Sequence, residues 1–332
     1  MIDSKTRRSF LARSMTGAAA LALGRGTLAQ PLAKVVFGTN WLAQAEHGGF
    51  YQAVAEGIYR KHGIDATVRM GGPQVNGLQL LLAGQMDLFM GYDFQTIKVL
   101  EQGLPIVTVA ATFQKDPAVL IAHPGISRIE ELKDRPIYIS AASETTFWPW
   151  LKARYGFTDA QKRPYSFSVQ PFLADKTSAT QGYATSEPYS VEKAGVRPTI
   201  FLLADLGYPP YAETIVARRD YLEKNSDKIR RFVQATAEGW RSYLANPAPG
   251  NALIKRDNPQ MEDALLAFGL AKMKEYGIVA GGDAAKFGIM SMTDERWKRS
   301  FDFMASAGLV KPAIDYRKAY TLDIVRQLRV LP

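Results

Sequence analysis

Residues Lys34 to Gly72 place a β run, a helix and a second β run in direct succession, and this order constrains the fold more than any other feature of the chain. The first run is Lys34-Val35-Val36-Phe37-Gly38. Asn40-Trp41 and His47-Gly48-Gly49 follow it, and a helix over Gly49 to Arg60 then carries small and aromatic residues on one side. His62-Gly63 closes that helix, and Ile64 to Met70 forms the second β run before Gly71-Gly72-Pro73. In open α/β sheets, ligands bind outside the carboxyl ends of the strands. Asn40, Trp41, His47 and Gly71 to Gln74 all fall at such ends.

The alternation continues down the chain, which argues for an α/β fold. Strands are expected at Asp87 to Met90 and Ile106 to Ala111, with helices over Asn76 to Ala83 and Phe94 to Gln102 between them. Gly84 marks a helix exit. A second set of strands is expected at Ile137 to Ser140, Phe167 to Val169 and Ile200 to Leu203. Thr146 to Tyr155 and Asp175 to Thr180 read as helical or turn-like. No Pro/Ser-rich linker separates the two sets. Two crossings are inferred instead, with the apolar runs Val119–Ala122 and Thr214–Ala217 as a paired hinge. The chain then divides into a first lobe at 30–117, a second lobe at 118–213 and a return to the first lobe at 214–332. From Asp220 onward the spacing is helical: Ile229, Phe232, Val233, Thr236 and Trp240 recur at three and four residues. Ser226-Asp227-Lys228 reads as the cap. Met261 to Tyr276, Asp294 to Ala307 and Tyr320 to Val330 also read as helices.

Composition narrows the function. Thr6-Arg7-Arg8-Ser9-Phe10-Leu11, the small apolar stretch Ser14 to Gly24 and the small-x-small site Thr27-Leu28-Ala29 predict a twin-arginine signal peptide over 1–29. The apolar run is far shorter than the ~20 residues of a spanning helix. No Cys follows it to carry a lipid. The mature protein is therefore expected in the periplasm, soluble and not lipid-anchored. Removing 1–29 lowers the net charge from +9 to +5, with 36 basic against 31 acidic residues. No Lys/Arg tract is present, so nucleic acid is not an expected partner. The chain has no Cys and only His47, His62 and His123, without metal-ligand spacing. Neither a metal nor a cofactor is expected.

The stretch NW-x5-HGGFYQA-x3-GIYRKHGIDATV resembles the first segment of the periplasmic substrate-binding proteins of ABC importers. Within them it is similar to the branch shared by nitrate, sulfonate and taurine binders and by thiamine-pyrimidine-precursor binders, with the latter group nearest. The resemblance spans roughly Lys34 to Arg241. It implies a type II periplasmic-binding-protein fold: two Rossmann-like lobes joined by a two-strand hinge, with the ligand cleft between them. Closure about the hinge is then the expected motion. It also implies a monomer that hands a small molecule to an inner-membrane ABC permease.

Several residues are candidates for the ligand site. Trp41, beside Asn40, suits a platform for a flat ligand; sealing the core is its other use. His47 lies at a helix start, where the positive dipole end favours neutral imidazole, and Gly48-Gly49 permit close backbone approach. Tyr51 is one turn on. Asp93 is either a helix cap or an acceptor for a ligand amino group, and Gln114 is a further polar candidate. In Ser140-Ala-Ala-Ser-Glu144-Thr145, small residues open backbone N–H groups at a helix start, as anion sites do, but Glu144 opposes an anion. Glu187, in Glu187-Pro188-Tyr189, matches the strand-end Glu-Pro that the pyrimidine-precursor group turns toward its ligand; Tyr189 follows it, and Tyr208 is expected near the hinge. A carboxylate pairs well with an aminopyrimidine edge. The first expectation is therefore an aminopyrimidine-type ligand, with riboflavin-like rings also compatible. A sulfonate, taurine or nitrate binder is the alternative and would need an Arg or Lys in the cleft, which Lys115 or Lys176 could approach. A pyrimidine-synthase-like enzyme is the third, and the missing Cys opposes it. No Ser-His-Asp or paired-carboxylate arrangement is present.

Overall fold

The computed structural model describes residues 31–332 apart from 73, 74 and 167. The expected signal segment, Gln74 and Phe167 lie outside the described residues. Two five-stranded mixed sheets organise the chain. The first holds β1 (Ala33–Gly38), β2 (Ile64–Arg69), β3 (Leu88–Gly91), β4 (Ile106–Phe113) and β10 (Ala212–Arg218), in the order β2-β1-β3-β10-β4. The second holds β5 (Ala118–Ala122), β6 (Ile137–Ile139), β7 (Lys162–Pro164), β8 (Ala179–Tyr183) and β9 (Thr199–Leu202), in the order β7-β6-β8-β5-β9. In each sheet four strands run in one direction, three of them as neighbours. The remaining strand, β10 or β5, lies antiparallel between the last of these three neighbours and an edge strand. β4 and β5 are buried at every position, in keeping with sequences that are apolar apart from Thr108 and Thr112.

The chain passes between the sheets at 114–117 and again at 203–211. The runs expected as hinge, Val119–Ala122 and Thr214–Ala217, are themselves interior strand residues. Their apolar character reflects burial between two neighbours in a sheet. Two other expectations are corrected. The strand placed at Phe167 to Val169 lies earlier, at Lys162–Pro164, and Asp175 to Ser178 is a turn leading into β8. Tyr320 to Val330 is not a helix; it contains a single short 3-10 turn at Val325–Gln327.

Helices cover the sheets. In the first half of the chain these are α1 (Gly48–Ala55), α2 (Ile58–Lys61), α3 (Gly77–Leu82) and α4 (Asp93–Glu101). α5 (Phe147–Tyr155), α6 (Gln170–Ala174) and α7 (Glu187–Lys193) pack on the second sheet. α8 (Arg219–Ala245), α9 (Ala248–Asp257), α10 (Asp263–Glu275), α11 (Ala284–Phe287) and α12 (Asp294–Ser306) follow β10. The helix expected over Gly49 to Arg60 is two helices, broken at the left-handed Gly57. α8 begins before the expected cap and kinks at Asn225; Asp227 ion-pairs with Arg230 and Arg231 instead. Among the described residues no helix is long and apolar enough to cross a membrane.

The loop after β1 is held from behind by α1 against α8. Phe37 stacks on Phe50 with ring centroids 4.4 Å apart, and Phe50 meets Trp240 edge to face at 6.2 Å. The two helices approach so closely that a Cβ at Gly49 would lie 2.2 Å from the Trp240 ring, while one at Gly239 would lie 2.3 Å from the Gly49 carbonyl. Gly48 and Gly49 therefore serve helix packing, not a ligand's approach. Gly49→Ala should cost about 1–3 kcal/mol by overpacking. A urea unfolding midpoint equal to that of wild type would show that α1 has room to shift.

Candidate functional site

The carboxyl ends of β1, β3 and β8 and the start of β10 meet between the two sheets. Asn40 follows β1, Tyr92 follows β3, Tyr183 ends β8, and Glu213 lies in β10 beside the position that pairs with Gly91. Asn40 Nδ2 donates to Tyr92 Oη and to Glu213 Oε1, both at 3.4 Å. Tyr183 donates its hydroxyl to Glu213 Oε1 at 3.5 Å and shares a short hydrogen bond with the Tyr92 hydroxyl. Tyr183 belongs to the second sheet and the other three residues to the first. A second link crosses the same gap: the Thr185 hydroxyl donates to Glu46 Oε1. A third is the 3.4 Å contact from Gln95 of α4 to Thr145. The two sheets are thus linked across this junction by side-chain hydrogen bonds.

This junction is rich in acid. Glu46, Asp116 and Glu213 are all buried. Burial pushes the Glu46 and Asp116 carboxyls up to about 7, and nearby Glu187 and Asp93 respectively add to this. Glu213 is raised well above the usual carboxylate range, first by burial and then by Glu46 and Asp116. Burial likewise raises the Tyr92 and Tyr183 phenols. No basic side chain among the described residues hydrogen-bonds or ion-pairs with Asn40, Tyr92, Tyr183 or Glu213. Lys115 is held by Asp205 at 2.5 Å. Lys176 is exposed beyond the opposite end of β8. Glu213 Oε2 and Asn40 Oδ1 are buried without a hydrogen-bond partner.

The expected site residues separate into groups. Asn40 stands in the junction. Trp41 is half-buried beside it, and its carbonyl accepts from Thr39 Oγ1 and the Gly71 amide. Gly71 cannot carry a side chain there: a Cβ would lie 2.3 Å from the Thr39 carbonyl. His47 is fully buried, both ring nitrogens lack partners, and burial pushes it down to about 3, so it is neutral. The Tyr51 hydroxyl faces Asp257 of α9. Asp93 is turned into the first lobe, where it accepts from the Tyr211 amide, the Phe94 amide and Ser300 Oγ; burial raises it to about 6.

Gln114 donates to the Ala111 and Ser291 carbonyls. Its unpartnered Oε1 belongs to the first crossing, where a cleft of about 490 Å3 is lined by Gln114, Asp116, Tyr208, Asp283 and Arg296 among others. Tyr208 packs between Phe94 and Trp150, at 5.5 and 5.3 Å. Ser140 is buried and bonded to Gln181 and Ser143. Glu144 points outward to Lys162 at 3.0 Å. Tyr189 packs on Phe268 of α10. Glu187-Pro188 is not a strand end but the first turn of α7. Its carboxylate accepts from the Tyr183 amide at 2.7 Å, the Tyr165 hydroxyl at 2.8 Å and Ser186 Oγ.

Tyr92, Tyr183, Glu213, Glu46 and Asp116 were not singled out by sequence. An acid inside the apolar run Tyr211-Ala-Glu-Thr-Ile-Val-Ala was the available sign. Among the described residues no His/Asp/Glu cluster could hold a metal ion.

Residues 44–249 match the family described as NMT1/THI5 like, and the chain belongs to that family. It is 24% identical over 337 residues to the riboflavin-binding protein RibY of Chloroflexus aurantiacus, covering 93% of this chain and 91% of RibY. It is 20% identical over 263 residues to a formylaminopyrimidine-binding protein of Halalkalibacterium halodurans, covering 74% and 80%. The periplasmic aliphatic sulphonate-binding protein SsuA of Escherichia coli superposes with a TM-score of 0.65 at 15% identity, covering 90% and 94%. At that identity the likeness shows the fold, a two-lobed type II periplasmic-binding-protein architecture. The family resemblance carried by the Asn40 to Val68 stretch is thereby confirmed.

The buried acid and imidazole set opposite slopes in stability. Glu46 has a folded pKa above its ordinary 4.5, so its contribution is complete below about pH 4.5 and is lost as pH rises toward about 7. His47 is depressed below 6.5, so its contribution is complete above about pH 6.5 and is lost as pH falls toward 3. Glu46→Gln should flatten the decline in melting temperature above pH 5, and His47→Gln the decline below pH 6. Unchanged slopes in both variants would contradict the assigned protonation states.

Proposed function

We propose that this protein is the solute-binding component of an ABC importer, exported to the periplasm. Its lobes close on a small planar nitrogen-bearing molecule of the pyrimidine or flavin type and present it to a membrane permease. The observation that carries this reading is the acid-rich junction between the sheets, where no basic side chain among the described residues hydrogen-bonds or ion-pairs with Asn40, Tyr92, Tyr183 or Glu213. An anion there would face Glu46, Asp116 and Glu213, whose raised pKa values mark a place that disfavours buried negative charge. A ligand with N–H donors would instead satisfy acceptors that otherwise lie unpartnered.

The two curated relatives favour the same class. By their names they bind riboflavin and a formylaminopyrimidine. Both molecules contain a pyrimidine ring that bears an N–H donor, which a single carboxyl acceptor can take in either case. A sulfonate ligand is less well served, because Lys115 is already paired, Lys176 lies at the far end of β8, and Arg296, at the first crossing, donates to the Gln114 and Pro210 carbonyls. An enzymatic role has little support: a pyrimidine-synthase-like chemistry would call for the Cys-rich motif this chain lacks. A monomer suffices, since both walls come from one chain.

Purified protein should be stabilised by riboflavin or by a 4-aminopyrimidine and not by taurine or an alkanesulfonate. A ligand at 100 times its Kd adds about 2.7 kcal/mol to the folded state, a shift easily read by thermal melting. Stabilisation by sulfonates alone would reverse the assignment.

A further inference from the structure

We propose that Glu213, and not Glu187, is the carboxyl that reads the donor edge of the ligand, with Asn40 Oδ1 beside it as the second acceptor. This rests on the ligand class argued above and assigns the residue that selects it.

Glu187 is the residue that family likeness favours, but its geometry describes another task. Its side chain lies over β8, where a Cβ on Gly182 would meet the Glu187 Cβ at 2.7 Å. Both carboxylate oxygens are used inside the second lobe. Oε1 takes the Tyr165 hydroxyl, and Oε2 takes the Tyr183 amide and the Ser186 hydroxyl. It fastens the turn from β8 into α7 and so fixes where Tyr183 stands. Glu187 is a positioning residue.

Glu213 is its opposite in each respect. It is 1% exposed, and Oε2 has no partner. Oε1 has only the two long contacts, at 3.4 and 3.5 Å. The neighbouring Asn40 side chain leaves its own Oδ1 unpartnered. Two buried oxygens thus lack partners on side chains that bond each other through Asn40 Nδ2 and Glu213 Oε1, an arrangement that native proteins rarely leave unfilled. The backbone points the same way. Glu213 has φ of 50°, a conformation that a non-glycine residue in a strand adopts only under constraint. Such outliers concentrate at ligand clamps. Ala212 and Thr214 pair with β4 on either side, so the strain is local and turns the side chain toward the junction.

The position also ties recognition to closure. Glu213 and Asn40 belong to the first lobe, while Tyr183 reaches them from the second. A donor edge seated against Glu213 would lie under the Tyr92–Tyr183 bridge. A ligand lacking that donor would leave the acceptors bare.

The test compares a 4-aminopyrimidine with its 4-(dimethylamino) analogue, which lacks the exocyclic N–H, by isothermal calorimetry. Wild type should prefer the amino compound by at least about tenfold, the size of one charge-assisted hydrogen bond. Glu213→Gln should reduce that preference to within about threefold. Glu187→Gln should keep the preference while lowering the melting temperature. If Glu213→Gln keeps the preference and Glu187→Gln loses it, the assignment is overturned and the ligand class stands. If wild type binds neither compound nor riboflavin, the ligand class falls and the assignment with it. Should Glu213→Gln fail to fold, Asn40→Ser probes the same acceptor pair: a lost preference supports the proposal and a retained one refutes it.

Discussion

Carboxyl groups buried between two sheets, with no basic side chain among the described residues hydrogen-bonded or ion-paired to them, are the constraint on which this structure turns. An isolated carboxylate at such a place is costly, so it takes up a proton or waits for a donor. Here three acids converge, Glu46, Asp116 and Glu213; burial raises all three, and Glu46 and Asp116 raise Glu213 further. The tyrosines between them supply hydroxyls but no charge. The junction is therefore held by hydrogen bonds whose pattern depends on where the protons sit. Any solute that enters must fit that pattern.

The rest of the fold serves to bring these groups to one place. Asn40, Tyr92 and Tyr183 come from the carboxyl ends of parallel strands in two different sheets, and Glu213 comes from the strand that returns to the first. The crossings at 114–117 and 203–211 allow the sheets to approach. Tyr208, wedged between Phe94 of one lobe and Trp150 of the other, gives the second crossing a shared apolar pivot. Behind the junction, the glycine contact of α1 with α8 keeps the loop that bears Asn40 from drifting.

The architecture was largely visible in the sequence because periodicity and turn residues are local signals. β1, β4 and β9 are marked by largely apolar runs, β2 by its place after His62-Gly63, and α4, α10 and α12 by their spacing. Val119–Ala122 and Thr214–Ala217 were misassigned as hinge because an apolar run has the same composition whether it links lobes or fills a sheet. The site was less legible. Asn40 stood out through its neighbours. Glu187 stood out through likeness, yet the donors that occupy it, Tyr165 and the Tyr183 amide, are fixed only by the fold. Glu213 gains its character from burial, from a positive φ and from residues more than a hundred positions away, none of which the sequence displays.

The central claim is that this junction accepts donors and rejects anions, and proton linkage tests it most directly. Calorimetry at pH 7 in two buffers of different ionisation enthalpy measures the protons exchanged on binding. A donor-bearing pyrimidine or flavin should favour the carboxylate form and release protons, and Glu213→Gln should diminish that release. Net proton uptake on binding an alkanesulfonate, with no binding of the nitrogen heterocycles, would contradict the account.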